Sequence, residues 1–240
     1  MSSRSLAVYV AAAMVAGLGP LAAGAHAAGS AAPAYPKAGC FTLTDPKGDA
    51  RYDGQGPNDP DLDILGVAFE STRTDLIAFA RIDKLAAGPQ IGDGQRYTLD
   101  FTFHGHVFSA AASSYSHGTG AIRDGLAQTN EAGHTVQLGV DVPSVTALPP
   151  QTDKGFKTSG LKVTFNTVKS WVVFDLPIKD IVKYGGAKFT GRLAAVDVRS
   201  AYDQYAVSSQ VDSSAVGNAS TSTDTWTVGT NTCFPTKKRH

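Results

Sequence analysis

Cys40 and Cys233 are the only cysteines in the chain, and they enclose nearly everything that follows its leader. Residues 1–27 indicate the compartment those thiols meet. Met1-Ser-Ser-Arg4 is a short basic start, and Leu6 to Leu21 is an uncharged run rich in Ala, Val and Leu. Ala25-His-Ala27 then has the small-x-small form of a signal peptidase site. This is the pattern of a secretory signal peptide cleaved after Ala27. A membrane anchor is the alternative, but the run is short and interrupted by Gly and Pro. No later stretch is long and apolar enough to span a bilayer, so the mature chain is expected to be secreted, with no membrane partner. The Ala- and Gly-rich leader has the style of a high-GC bacterial genome. In an oxidising exterior two cysteines pair, with two free thiols as the alternative. The bridge would close almost the whole mature chain, for which the chain-entropy model gives about 5 kcal/mol as an upper figure. It predicts a single domain over 40–235 whose first and last strands are neighbours. A flexible leader at 28–39 would precede the domain and a frayed basic tail at 236–240 would follow it.

Among the acidic residues only Glu70 and Glu131 are glutamates; the others are Asp. Asp favours turns and caps whereas Glu favours helices, so the skew points to a turn-rich β protein. The apolar alternation agrees. Residues 63–71 and 76–83 form a hairpin across Thr72-Arg-Thr-Asp75, and residues 95–103 and 106–112 form another across His104-Gly105. Residues 161–165 and 170–176 form a third around Asn166. Further strands fall at 41–44, 119–123, 134–141, 188–200 and 224–228. Val142–Gly160 and Tyr202–Thr223 read as loops. One segment breaks the two-residue period. Ile178, Ile181 and Val182 share a helical face between Pro177 and Gly185, which suit a helix start and end. The expected fold class is all-β, an antiparallel β-sandwich of jelly-roll or immunoglobulin-like type with one short helix.

The stretch from Asp45 to Asp63 carries six aspartates against Lys47 and Arg51. Like charges about 4 Å apart repel by roughly 4 kcal/mol at an effective dielectric of about 20. A loop that packs with several carboxylates together needs a counter-charge. Calcium supplies it through oxygen ligands in flexible geometry, whereas zinc would want the Cys or His that the loop lacks. Asp61 and Asp63, two apart, would share one side of a strand. Asp45, Asp49 and Asp53 recur every four residues, yet Pro46, Gly48, Gly54 and Gly56 oppose a helix, so they would converge through a loop. These five are the candidate calcium ligands. The alternative is a solvated turn in which each Asp bonds its own backbone.

The net charge is zero, which leaves no basic face for nucleic acid. His104 and His106 have metal-like spacing, with a solvated hairpin tip as the plainer reading. There is no Gly-x-Ser-x-Gly elbow, and the Asp loop lacks an apolar wall to raise one carboxyl, so the chain reads as a non-enzyme. Trp171, Tyr202 and Tyr205 are the candidate ligand-binding aromatics, although core packing is the commoner fate of a residue placed as Trp171 is. Closure by Cys40–Cys233 would bring Asp197 and Asp203 near the Asp loop.

Asp45-Pro-x-Gly-Asp49, then Asp61-Leu-Asp63-Ile-Leu, a strand, a Thr-rich turn and Leu76 resemble the opening of family-nine carbohydrate-binding modules and their DOMON-like secreted relatives. The aromatic strand over Tyr97–Phe108 that turns at His104-Gly105 resembles the same pattern. The resemblance implies a jelly-roll sandwich, calcium held by the Asp loop, and in some members a sugar between aromatics. DOMON relatives also bind haem through Met and His; here the only Met residues are Met1 and Met14, inside the leader. The expected activity is therefore that of a calcium-stabilised binding or accessory module for a polysaccharide or cell-wall polymer. A structural or protein-interaction domain is the alternative, and an Asp-based hydrolase is a third reading.

Overall fold

Strands form where the sequence alternates, and the three expected hairpins frame the molecule. The computed structural model describes residues 34–51, 55–86, 94–115, 128–131, 134–141, 156–157, 159–204, 207–213 and 223–234. In the first hairpin β2 (Ile64–Ser71) pairs antiparallel with β3 (Asp75–Ile82). Its turn is closed by Thr72, whose Oγ1 accepts the amides of Thr74 and Asp75 at 3.1 and 2.9 Å. β9 (Lys162–Asn166) pairs with β10 (Trp171–Pro177), and β10 also pairs with β3. With β1 (Leu43–Thr44) these strands make a first sheet in the order β1-β2-β3-β10-β9.

The second sheet is built on the hairpin of β4 (Gly94–Phe103) and β5 (His106–Tyr115). It continues through β7 (His134–Val140) to β6 (Gln128–Glu131) on one side. On the other it continues through β11 (Arg192–Gln204) to β12 (Val207–Ser213). Two short strands join it, β8 (Phe156–Lys157) on β7 and β13 (Thr225–Thr227) on β11. The all-β antiparallel sandwich expected from the sequence is what forms.

Alternation puts one face of each strand into the space between the sheets. Tyr97, Leu99, Phe101 and Phe103 of β4 meet Val67, Phe69, Ala78, Ile82 and Phe174 there, all at most 1 % exposed. Phe101 and Phe108 stack with centroids 5.1 Å apart. Each large side chain so buried contributes about 1.5–3 kcal/mol. The helix α1 (Ile178–Gly185) follows Pro177, buries Ile181, and ends at Gly186, whose left-handed φ of 68° lets its N–H reach the Val182 carbonyl.

The first sheet is buried on its outer face as well. Ala68, Ile77, Phe79, Trp171 and Val173 pack beneath Tyr35, Cys40 and Phe41 from the start of the domain and Cys233 and Phe234 from its end. Cys40 and Cys233 form a disulfide with Cα atoms 5.3 Å apart, and the Lys37 amide donates to the Cys233 carbonyl. Phe41 comes so close that a Cβ on Gly66 would lie 2.6 Å from its ring, at a φ of +151°.

Several expectations are corrected. The first and last strands are not neighbours, since β1 pairs with β2 in one sheet and β13 with β11 in the other. The bridge instead ties the segments flanking those strands across one sheet face. The leader is not free over residues 34–39. Tyr35 lies edge-on to Phe79, accepts a 2.6 Å hydrogen bond from Asn166 Nδ2, and is capped by Lys169 Nζ. Tyr202–Thr223 is not one loop, because β11 runs on to Gln204 and β12 follows. β8 falls inside the stretch read as a loop over Val142–Gly160. The signal peptide, the strand at 119–123 and the basic tail lie outside the described residues. Among the described residues no helix is long and apolar enough to cross a membrane.

Candidate metal centre

The Asp-rich loop joins β1 to β2 within the first sheet, and side chains of the second sheet hold its backbone. Ser200 of β11 pairs with Tyr97 of β4 on one side and Asp212 of β12 on the other, so the three form a row across the sheet. Each bonds the same short piece of chain. Tyr97 Oη donates to the Asp61 carbonyl at 2.5 Å, and Ser200 Oγ donates to the Leu62 carbonyl at 2.6 Å. Asp212 Oδ2 accepts the Ile64 amide at 2.6 Å. Leu62 and Ile64 are fully buried, so their backbone groups need partners that water cannot supply.

Asp212 brings a carboxylate to the far side of the loop. One oxygen each of Asp45, Asp49 and Asp212 lie within 4.8 Å of one another. Asp63 joins them from within the loop. Its Oδ2 accepts the Gly48 amide and Asn58 Nδ2, each at 2.9 Å, which places its carboxylate beside the turn linking Asp45 to Asp49. Asp63 Oδ1, Asp45 Oδ2 and Asn58 Oδ1 are buried oxygens without a hydrogen-bond donor. Leaving such acceptors unsatisfied is costly, about 1–3 kcal/mol each.

The loop was expected to lack an apolar wall that could raise a carboxyl, but the fold buries its carboxyls and raises several of them. Burial first, then the charges of Asp212 and Asp49, push the Asp45 carboxyl up to about 9. Burial also lifts Asp212 to about 7, although the amides of Ile64 and Ser213 oppose the rise. Burial raises Asp63 too, against the hydrogen bonds from Asn58 and Gly48. A positive ion would remove all three perturbations at once. The clustered donors are the carboxylates of Asp45, Asp49 and Asp212, with Asp63 and Asn58 bonded beside them; oxygen donors suit a hard cation rather than zinc.

Of the ligands read from sequence, Asp45 and Asp49 are brought together with Asp212, and Asp63 bonds the turn between them. Asp53 lies outside the described residues. Asp61 turns elsewhere because residues 60–62 form a turn before β2 begins, not a strand. It accepts Gln95 Nε2 at 3.3 Å, and burial and the Asp59 charge lift it to about 6. Asp197, thought to approach the loop, faces away from it, accepts Ser213 Oγ and pairs with Arg199. Asp203 pairs through its backbone with Ser208. Asp212 and Asn58 are the residues sequence reasoning missed. Asp212 was hidden because Ser208, Ser209 and Gln210 make β12 look like loop, with only Val207 and Val211 to mark a strand.

The aromatic candidates fare differently. Trp171 is 9 % exposed beneath Tyr35 and Phe41, edge-on to Phe79 and 5.5 Å from the Arg81 guanidinium. Its surroundings are those of a packed core residue. Tyr202 pairs through its backbone with Ser209 and Gln95, and Tyr205 lies outside the described residues. His104 occupies the β4–β5 turn at φ 48°, and His106 Nδ1 meets Asp141 Oδ2 at 2.8 Å on an exposed surface. Compared with family models, with curated proteins and with solved structures, the chain matches none.

Proposed function

We propose that this chain is an exported, non-catalytic β-sandwich module whose Asp45, Asp49, Asn58, Asp63 and Asp212 hold a calcium ion. Its task in this reading is to bind a polysaccharide or cell-wall polymer, as an accessory to other secreted proteins. The observation that carries the ion is the set of buried acceptor oxygens on Asp45, Asn58 and Asp63, crowded against the Asp45–Asp49–Asp212 triad. Folding concentrates negative charge there, and the Gly48 and Ile64 amides and Asn58 Nδ2 are the groups that bond Asp63 and Asp212. The Cys40–Cys233 bridge suits an oxidising exterior, in keeping with a secretory leader.

The polymer half rests on the likeness of Asp45-Pro-x-Gly-Asp49 and Asp61-Leu-Asp63 to family-nine carbohydrate-binding modules and DOMON-like domains. A second reading, a protein-interaction or structural domain without a sugar, is favoured by one observation. Trp171, the aromatic best placed to stack on a sugar, is covered by the chain's own N-terminal segment.

Calorimetric titration of the mature chain with calcium tests the ion, and a glycan array on the same protein tests the ligand. Saturable calcium binding with one ion per chain is expected, and a flat titration removes the centre. Retention of a defined polysaccharide is expected, and an array without signal leaves the interaction-domain reading in its place.

A further inference from the structure

We infer that the cation of this centre is a latch on the edge strand β12, holding it to the rest of the sandwich. The inference rests on the calcium reading above and states what that ion controls. Asp45, Asn58 and Asp63 belong to one stretch of chain that is fixed by other bonds. The Asp45 amide donates to the Leu65 carbonyl, the Asp59 amide to Ala50 and the Asp83 amide to Asp63. Tyr97 and Ser200 hold the carbonyls of Asp61 and Leu62. Asp49 lies in the same stretch. Among the described residues Asp212 alone reaches the centre from the opposite sheet.

Its strand is weakly held. Among the described residues β12 is the last strand of its sheet and pairs with β11 on one side only. The pairing slips beside the ligand, because Ser200 faces Asp212 and the next residue, Ala201, faces Gln210. A slip of this kind interrupts the ladder and leaves one residue unpaired. Ser213, next in the chain, donates its hydroxyl to Asp197 on the other face of the sheet. Across the gap Asp212 meets the carboxylates of Asp45, Asp49 and Asp63, with the Ile64 amide as its bond to the loop. An ion between them turns that repulsion into a bridge from the first sheet's loop to the second sheet's edge. Asp63 is fully buried, and while its Oδ2 accepts Gly48 and Asn58, its Oδ1 and the Oδ1 of the uncharged Asn58 are buried acceptors without a donor.

Amide hydrogen exchange on the oxidised mature chain, with calcium and after chelation, tests the latch. Peptides covering residues 207–213 should exchange about tenfold faster or more after chelation, while those covering β10 keep their protection. Asp212→Asn should exchange fast in β12 even with calcium present. Asp49→Asn, on the half-buried loop, should recover the protection at calcium concentrations about tenfold higher or more, as expected when a ligand charge is removed. If calorimetry records calcium binding and residues 207–213 exchange alike with and without it, the latch is overturned and the calcium centre stands. If β10 loosens as much as β12, the ion supports the whole fold and the latch is again overturned. If no calcium binds, both ideas fall together.

Discussion

Asp212 and Ile64 stand 148 residues apart in the chain, yet the Ile64 amide donates to the Asp212 carboxylate across 2.6 Å. That bond joins the first strand after the acidic loop to the edge of the opposite sheet, and it sets Asp212 where a cation would need it. Asp212→Asn removes a full ligand charge while keeping an oxygen to accept the amide. In the wild-type chain calcium at a hundred times its dissociation constant should add about 2.7 kcal/mol of stability. In the variant most of that gain should vanish, read as the change in melting temperature on adding chelator. Asp61→Asn, at a residue bonded to Gln95 instead, should retain the gain. Equal calcium responses in all three proteins would remove Asp212 from the centre.

The centre also fixes a pH dependence whose sign differs with and without the ion. Folding raises Asp45 from 3.8 to about 9 and Asp212 to about 7, so these groups hold protons more tightly folded than unfolded. Their contribution in the metal-free protein is therefore fully present below the unfolded value. It is lost as pH rises through the folded values. Calcium needs both carboxylates ionised, so its stabilisation grows over the same range. Melting curves at about pH 5 and about pH 8 should show a small calcium increment at the lower pH and a large one at the higher. A larger increment at the acidic end contradicts the assignment.

How much of this could be read in the sequence follows from what each feature depends on. Hairpins were legible because alternation and turn chemistry are local: Thr72 to Asp75 and His104-Gly105 declare their turns within four residues or fewer. Three of the four carboxylates at the acidic centre were legible for the same reason, since Asp45, Asp49 and Asp63 share one loop. Asp212 was not. Its role depends on β12 lying beside β11, and β12 is polar at most of its positions. Trp171 was legible only in part. Alternation correctly places it on the outer face of its strand, but nothing local says that Tyr35, Phe41 and Phe234 will cover that face.

The row of Tyr97, Ser200 and Asp212 should be felt in stability apart from any ion. Tyr97→Phe and Ser200→Ala each remove one buried donor and leave a loop carbonyl, Asp61 or Leu62, unsatisfied. Each should cost about 1–3 kcal/mol. Because the two carbonyls are adjacent in the chain, the double variant should cost less than the sum of the singles, as one released segment satisfies both with water. Denaturant unfolding measures this, and strict additivity would mean that the two bonds act independently.

Gly66 marks where the outer cover meets the sheet. A methyl group there would lie 2.6 Å from the Phe41 ring and 2.8 Å from the Leu43 carbonyl, at a φ of +151°. Gly66→Ala should therefore destabilise the protein by about 1–3 kcal/mol through strain alone. It should also displace Phe41 from Trp171, which shifts the emission of that tryptophan in a Trp226→Phe background. An unchanged melting temperature would show that β1 and β2 can part at no cost.

The disulfide has a mechanical side. Cys40 and Cys233 stand 193 residues apart in sequence, and their bridge lies over the outer face of the first sheet. Tension applied to the two ends of the domain runs through the sulfur pair and bypasses the sheets. A module strung between other secreted parts would thus carry a pull without unravelling, and a single cut in the polypeptide between the cysteines would leave it in one piece.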